Sequence, residues 1–291
     1  VLGTTACGKS GLGVELAKRF DGEVISADSR QVYKGLDLGT GKVTEAEMEG
    51  VPHHMLDVVE PGQPYSVADF QPAAYAAIDD VRSRGKTPIL VGGTGLYVRA
   101  VTEGFQFSDS KPDPALRQEL EGKSNAQLYA ILREKTGVTL TGGEENNRHR
   151  LMRSVEKALS GGWEAPRACP RYDCLLLGVN FPRETVCARI DQRLQARIDA
   201  GMIDEVAGLR AAGVSDEFLD RLGLEYRYIL WYLTGKIPTL EGLKDELGRA
   251  IKRFAKRQVV WFKKDKDVLW LDMEGDFLSQ AGDAVEKFLS V

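Results

Sequence analysis

The stretch "GTTACGKS", Gly3–Ser10, follows two apolar residues, Val1 and Leu2, and precedes the helical run "KSGLGVELAKRF". Gly3, Gly8, Lys9 and Ser10 fit the spacing G-x-x-x-x-G-K-[ST]. Placed between a strand and a helix, this spacing marks a loop whose backbone amides wrap phosphate oxygens. The residue types follow from that task. Glycine lets the amides turn inward, and the helix start adds partial positive charge. Lysine brings a point charge to the terminal phosphate, and the Ser10 hydroxyl can ligate Mg2+. Gly3, Thr4, Thr5, Ala6, Cys7, Gly8, Lys9 and Ser10 are therefore the expected phosphate-binding residues. The loop identifies a polyphosphate, and a diphosphate or a triphosphate could both be held this way.

Outward from the loop, strands and helices alternate. "KSGLGVELAKRF" puts Leu12, Leu16 and Phe20 on one helical stripe, and "EVIS" reads as a short strand. "HHMLDVV" (His53–Val59) reads as another strand. Ser66 reads as the N-cap of a helix with Val67, Phe70, Ala74, Ile78 and Val81 on one face, ended by Gly85. "TPILVGG" reads as a buried strand. This alternation predicts an α/β fold, a phosphate-loop NTPase-like doubly wound parallel sheet. From about Phe105 to Gly162 strand signals stop and polar helical stretches appear. The expected organisation is a catalytic core of residues 1–105 and 163–291 with a mostly helical insertion domain over 106–162. After it, "CLLLGVN" resumes strand character. A long helix with Val186, Ile190, Leu194, Ile198, Met202 and Val206 on its apolar stripe follows, with Arg189, Arg193 and Arg197 on another face. Two more helices, the strand "VLWLDM" and a final helix complete the expected order.

A chain of 291 residues, 43% of them hydrophobic, can bury a sizeable core. No apolar run approaches the roughly 20 residues of a membrane-spanning helix. No signal peptide precedes the loop, and the first strand begins already in progress at Val1, which reads as a trimmed N-terminus. The four cysteines, Cys7, Cys169, Cys174 and Cys187, lack zinc spacing and are too few for a disulfide scaffold. They are the expected reduced thiols of a cytoplasmic protein, and the expected state is a monomer. The net charge of −4 disfavours wholesale nucleic-acid binding, yet "GRAIKRFAKRQVVWFKK" carries seven basic residues and no acid. That run is either a solvated helix face or a surface for a polyanion.

A nucleotide kinase is the default reading of the loop alone. Against it, "PILVGG" ends in glycines where a metal-binding Asp would close a Walker-B strand. Asp28 in "ISADSRQVYKG" instead follows the second strand, at the sheet edge that carries the loop. An acid there could hold a metal, cap a turn at Ser29, or accept a proton from a nucleophile. His53 and His54 are adjacent in a predicted strand, where side chains point to opposite faces, so they are expected to be structural rather than a metal pair.

Several segments, in order and nearly end to end, resemble the tRNA dimethylallyltransferases (tRNA isopentenyltransferases). They are "GTTACGKS", "ISADSRQVYKGLDLGTGK", "PHHMLDVVEPGQPYSVADF", "PILVGGTGLYVRA", "NNRHRLMRSVEKAL", "RIDAGMIDEV" and "AKRQVVWFKK". The resemblance implies transfer of the dimethylallyl group from dimethylallyl diphosphate to the exocyclic amine of the adenosine 3′-adjacent to the tRNA anticodon, with Mg2+ as cofactor. It makes Asp28 the base, Lys9 and Ser10 the diphosphate and metal partners, with Asp28 a second metal ligand. Thr94 and Arg99 match positions lining the reaction channel; the alternative for Arg99 is a helix-surface charge. Arg227 aligns with a basic residue that clamps the diphosphate, although Glu225 stands where the family has Gly and could pair with it. Ser29, Arg30 and Gln31 would contact the adenosine. Arg117, His149, Arg150 and Arg153 of the insertion, with Lys252, Lys256 and Arg257, would meet anticodon-stem phosphates. "GTGKV", the pair Asn146–Asn147, and "RLQAR" (Arg193–Arg197) in place of a pattern ending in Asp-x-Met depart from the family pattern. Two other readings compete: an adenylate (cytokinin-type) isopentenyltransferase, and an ATP-dependent small-molecule kinase.

Overall fold

The computed structural model describes residues 1–107, 113–140, 144–163 and 167–290. Its strands are β1 (Leu2–Gly3), β2 (Gly22–Ser26), β3 (His53–His54), β4 (Thr87–Val91), β5 (Leu177–Val179) and β6 (Leu269–Trp270). They pair in parallel as β3-β2-β4 and β1-β5-β6. A parallel bridge between Leu2 and Gly92 joins the two sets, and Val1 O accepts the Gly92 N–H at 3.1 Å. β1 is thus short but central, and the phosphate loop leaves the sheet from its middle.

The helices are α1 (Lys9–Arg19), α2 (Glu45–Met48), α3 (Val67–Ser83), α4 (Gly95–Thr102), α5 (Pro114–Glu121), α6 (Asn125–Thr136) and α7 (Arg148–Leu159). After β5 come α8 (Arg183–Asp199), α9 (Met202–Ala211), α10 (Asp216–Leu222), α11 (Leu224–Leu233), α12 (Leu240–Phe262) and α13 (Phe277–Leu289). All five residues of β2 are buried, as a parallel strand covered on both faces should be. On one face Ile25 and Ala27 pack with Phe70, Ala74 and Ile78 of α3 and Tyr97 and Val101 of α4. On the other, Val24 and Val91 pack with Val14 and Ala17 of α1. A separate apolar cluster ties α8–α12 to Val32, Tyr33 and Leu36, which follow Asp28.

The chain divides into two units, Val1–Glu103 with Pro170–Val291, and Gly104–Cys169. Within the second, Leu120, Leu128, Leu132, Leu151, Met152 and Val155 form a core of their own. Its helices start on capping side chains, Asp113, Ser124 and Asn147, each accepting from the first turn.

Four expectations need correction. "HHMLDVV" is a strand only at His53–His54, because Met55 and Asp57 take positive φ (64° and 55°) and break the extended run. The long helix after β5 is two helices, since Gly201 (φ 97°) interrupts the apolar stripe between Ile198 and Met202. After those two, three helices (α10, α11 and α12), rather than the expected two, precede β6. β4 is only partly buried up to Leu90. Ser66 does begin α3, with the Asp69 carboxylate accepting from both its N–H (2.8 Å) and its hydroxyl (2.7 Å).

His54 is structural. Its Nε2 lies 2.7 Å from Glu23 Oε2, and the Arg84 guanidinium grips the same carboxylate through both of its terminal nitrogens. Glu23 is 2% exposed. The Arg84 hydrogen bonds hold its carboxyl down at about 2 from an ordinary 4.5. This cluster lies toward the start of β2, away from the end carrying Asp28. A depressed folded pKa stabilises the fold above the unfolded value and loses that contribution as pH falls through the folded one. Denaturant melts should therefore weaken between pH 4.5 and about 2. Glu23→Gln should cost about 1–3 kcal/mol at neutral pH and flatten that acid slope.

Candidate active site

The loop after β1 is shaped by backbone sterics. A Cβ on Gly3 (φ 153°) would lie 2.1 Å from Val179 O, so no side chain fits there. Ala6 (φ 60°) and Gly8 (φ 84°) both occupy the left-handed region, and their turns gather successive N–H groups toward one side. Gly8 is the N-cap of α1, and no side chain among the described residues caps that helix. Its first amides therefore remain available to an anion. Thr5 is different: its N–H donates to Gln258 Oε1 at 2.8 Å. The Thr5 amide is thus already engaged, and those of Ala6–Ser10 are the part of the loop left to an anion. Lys9 Nζ donates to Thr4 O, and the Ser10 side chain is exposed on the first turn.

Asp28 follows the carboxyl end of β2. Its Oδ1 accepts the Arg30 N–H at 2.8 Å, a local turn that fixes the carboxylate while leaving it half-exposed. Thr94 Oγ1 accepts the Ser29 N–H at 3.1 Å, and the Thr94 N–H points to Ala27 O at 3.4 Å. Thr94 therefore holds the turn that carries Asp28. Gln31 braces the same segment, accepting from Ser26 Oγ (3.2 Å) and donating to Gly41 O (3.1 Å). Arg30 lies half-exposed between them. Gly92 and Gly93 separate this segment from the loop. A Cβ on Gly92 would meet Ala27 O at 2.2 Å, and one on Gly93 would sit 3.5 Å from both Gly3 O and Lys9 Nζ. The two glycines let the Asp28 turn and the phosphate loop approach each other across β4.

Beside the loop lies a small recess, open to solvent and lined by Thr5, Ala6, Ile190, Arg193, Leu194, Arg197, Glu225 and Ile251. The sequence shows Arg193 and Arg197 as a charged stripe of α8 and gives no sign that tertiary packing lays them along the loop. Burial, reinforced by the neighbouring Arg197, pulls Arg193 down to about 10. Glu225 faces the same space. Burial pushes its carboxyl up, against the opposing fields of Arg197 and Arg193, and the charge of Asp28 adds to the rise. Glu225 and the two arginines thus share one recess beside the loop.

Arg227 is elsewhere. Its Nε donates to Asp220 O at 2.9 Å and lies 3.3 Å from Asp220 Oδ1, and it does not line the recess. The expected Glu225–Arg227 pair is absent among the described residues, where Glu225 is paired with Arg197 (3.7 Å). On α11, residues 225 and 227 are two apart and point to different sides. Arg99 grips Glu103 and lies 5.9 Å from the Trp261 ring, on the surface of α4.

The sequence of this chain is matched over residues 31–265 by the model of the IPP transferase family. The chain belongs to the IPP transferase family. Among its relatives, the tRNA dimethylallyltransferase 2 of Shewanella sediminis (strain HAW-EB3) is 43% identical over 287 residues, covering 97% of this chain and 95% of that one. The full-length tRNA isopentenylpyrophosphate transferase of Bacillus halodurans superposes with a TM-score of 0.75 at 36% identity, over 99% of this chain and 94% of that chain. A eukaryotic dimethylallyltransferase captured acting on tRNA gives 0.80 at 26% identity, over 99% and 78%.

In this IPP transferase the residues expected to meet RNA divide by unit. In the core, Lys256 and Arg257 are exposed on α12, while Lys252 Nζ is held by Asp191 at 2.6 Å. In the helical unit, His149 and Arg150 are exposed on the first turn of α7. Arg117 and Arg153 have an internal partner: both reach the buried Glu156, at 2.7 Å and 3.1 Å. A buried carboxylate needs compensating charge, so any phosphate contact by these two must compete with it. No helix among the described residues is long and apolar enough to cross a membrane.

Gln258, legible in the sequence only as part of a basic helix, is the residue that fixes the loop. It is 8% exposed, and its Nε2 donates to Gly93 O at 2.8 Å while its Oε1 holds Thr5. One side chain thereby spans the phosphate loop and the turn before Thr94. Gln258→Leu is expected to lower kcat/KM about 10- to 100-fold through misplacement of the loop. Gln258→Glu, which keeps the acceptor for Thr5 but loses the donor to Gly93, should fall between; steady-state kinetics and melting curves on both variants check this.

Proposed function

We propose that this chain transfers the dimethylallyl group of dimethylallyl diphosphate to the exocyclic amine of the adenosine 3′-adjacent to a tRNA anticodon, releasing diphosphate. The observation that carries the reading is the placement of a half-exposed carboxylate, Asp28, at the carboxyl end of β2, on the turn that Gly92 and Gly93 let approach the phosphate loop. The parallel-sheet topology, with the loop leaving a central β1, supports a phosphate-loop NTPase-like core carrying a helical insertion.

In this reading the amides of Ala6–Ser10 and the Lys9 ammonium receive the charge that builds on the leaving diphosphate. Arg193 and Arg197 take the clamping role that the sequence assigned to Arg227, because they and not Arg227 border the loop. Adenine's amine is a weak nucleophile, so its proton must be taken as the new C–N bond forms. Asp28 Oδ1 is occupied by the Arg30 N–H, and Oδ2 is the atom assigned to that proton. Thr94 and Ser29 hold the carboxylate in register.

A magnesium ion fits this donor set. Among the described residues no group of three or more His, Cys, Asp and Glu could cage a metal, which suits an ion that keeps its waters and rests on phosphate oxygens. The exposed Ser10 hydroxyl would hold it, with Asp28 as the nearby acid; it would neutralise charge on the departing diphosphate. The adenosine must leave its stack, at a cost of a few kcal/mol, and an anticodon loop makes this cheaper than a duplex. Backbone phosphates would be met by Lys256 and Arg257, and by His149 and Arg150 on the helical unit. A cytoplasmic, monomeric enzyme is the accompanying expectation.

Incubation with anticodon stem-loop RNA, dimethylallyl diphosphate and Mg2+, read by mass spectrometry, should show one added dimethylallyl group per RNA. Preference for AMP over RNA would instead support an adenylate isopentenyltransferase. Asp28→Asn should lower kcat by about 100-fold or more while RNA affinity holds; wild-type turnover in that variant would remove Asp28 as the base. Lys256→Ala and Arg257→Ala should each weaken RNA binding and reduce the slope of log K against log salt by about 1.

A further inference from the structure

Glu225 and Arg197 are the two least expected charges beside the phosphate loop. Both are mostly shielded from water, at 15% and 17% side-chain exposure. Their charged atoms lie 3.7 Å apart, across a recess whose wall includes Thr5 and Ala6. Arg197 is seated by Gly41: a Cβ there would fall 1.5 Å from Arg197 Nη2 and 2.9 Å from Arg193 Nη2. The loop bearing Gly41 is itself pinned, because the Glu205 carboxylate accepts the N–H groups of Asp37, Leu38 and Gly39 at 2.7–3.0 Å. Tyr226, next to Glu225, donates its hydroxyl to the same Glu205 at 2.8 Å. The backbone on either side of the pair is therefore braced.

At 3.7 Å the pair lacks the short, two-pronged contact that Arg–carboxylate pairs reach when geometry is free to optimise. Arg193 adds a second positive charge to the recess, so one carboxylate faces two guanidiniums. An incoming diphosphate offers Arg197 more negative charge than Glu225 does. We infer that Glu225 is a built-in competitor for Arg197: it holds the guanidinium beside the loop, yields it to diphosphate, and takes it back as diphosphate leaves. The pair thus sets how tightly the product is retained. The inference rests on the proposed reaction for its meaning, but it predicts a binding property that is measured without RNA or prenyl donor.

The test uses the full chain and inorganic pyrophosphate with Mg2+, titrated by calorimetry, alongside melting curves. Glu225→Gln should bind pyrophosphate about 10-fold more tightly, because its competitor charge is gone, and Arg197→Met should bind about 10-fold more weakly. In the Arg197→Met/Glu225→Gln double variant the carboxylate has lost what it competes for, so pyrophosphate affinity should match that of Arg197→Met, about 10-fold below wild type, and full additivity of the two single effects would overturn the inference. Turnover measured on the RNA substrate should show Glu225→Gln more strongly inhibited by added pyrophosphate. Unchanged pyrophosphate affinity in the folded single variants, or no pyrophosphate binding by the wild type, would overturn the inference. Pyrophosphate binding that follows the expected pattern without prenyl transfer to RNA would overturn the proposed reaction and leave the competition intact.

Discussion

The phosphate loop depends on a backbone that has been left no alternative. Gly3 is pressed against Val179 O so closely that a methyl group would collide, and the next turns at Ala6 and Gly8 rely on positive φ. Strain of this kind survives only when neighbours fix both ends. One end is β1, hydrogen-bonded between β4 and β5. The other is α1, whose Leu12 and Leu16 are buried with Val179 and Ala281. Between them Gln258 takes one amide out of the curl and secures it. What remains is a short arc of N–H groups facing the same way, formed before any anion arrives. Preorganisation of this sort is what makes a set of weak dipoles effective against developing charge.

The same economy of space explains the glycines of "GGTG". Gly93 lies under Gln258, and Gly95 lies under Trp261, where a Cβ would approach the indole Nε1 to 2.2 Å. α12 therefore packs directly on the turn that ends β4, and Thr94 is caught between the helix and the Asp28 segment. Basic residues of α12 and the proposed chemistry are connected through one buried amide side chain and one threonine hydroxyl. Charge at the site follows a similar logic. Two guanidiniums and one carboxylate line a partly dry recess, where electrostatic interactions are stronger than in water and each charge needs a partner.

The helical unit solves a different problem. Its small core could not carry the buried Glu156 alone, and two arginines supply the compensating charge. Arginines that look like an RNA-facing stripe in a one-dimensional reading are partly engaged in holding helices α5 and α7 together. His149 and Arg150 stand exposed on the first turn of α7.

Local chemistry determined a good deal. The loop spacing, the alternation of strands and helices, the acid after β2, and the cap at Ser66 are properties of neighbouring residues, so a linear reading finds them. The resemblance to dimethylallyltransferases was legible for the same reason, since its motifs are contiguous. Tertiary structure decided what depends on residues far apart. It broke the expected long helix at Gly201, cut the strand after His54 short through positive φ, and gave Glu23 its partners from β3 and the end of α3. It put Arg193 and Arg197 beside a loop almost two hundred residues earlier, turned Arg227 toward Asp220, and aimed Gln258 at Thr5. Spacing along a helix states which side chains share a face; only packing states what that face meets.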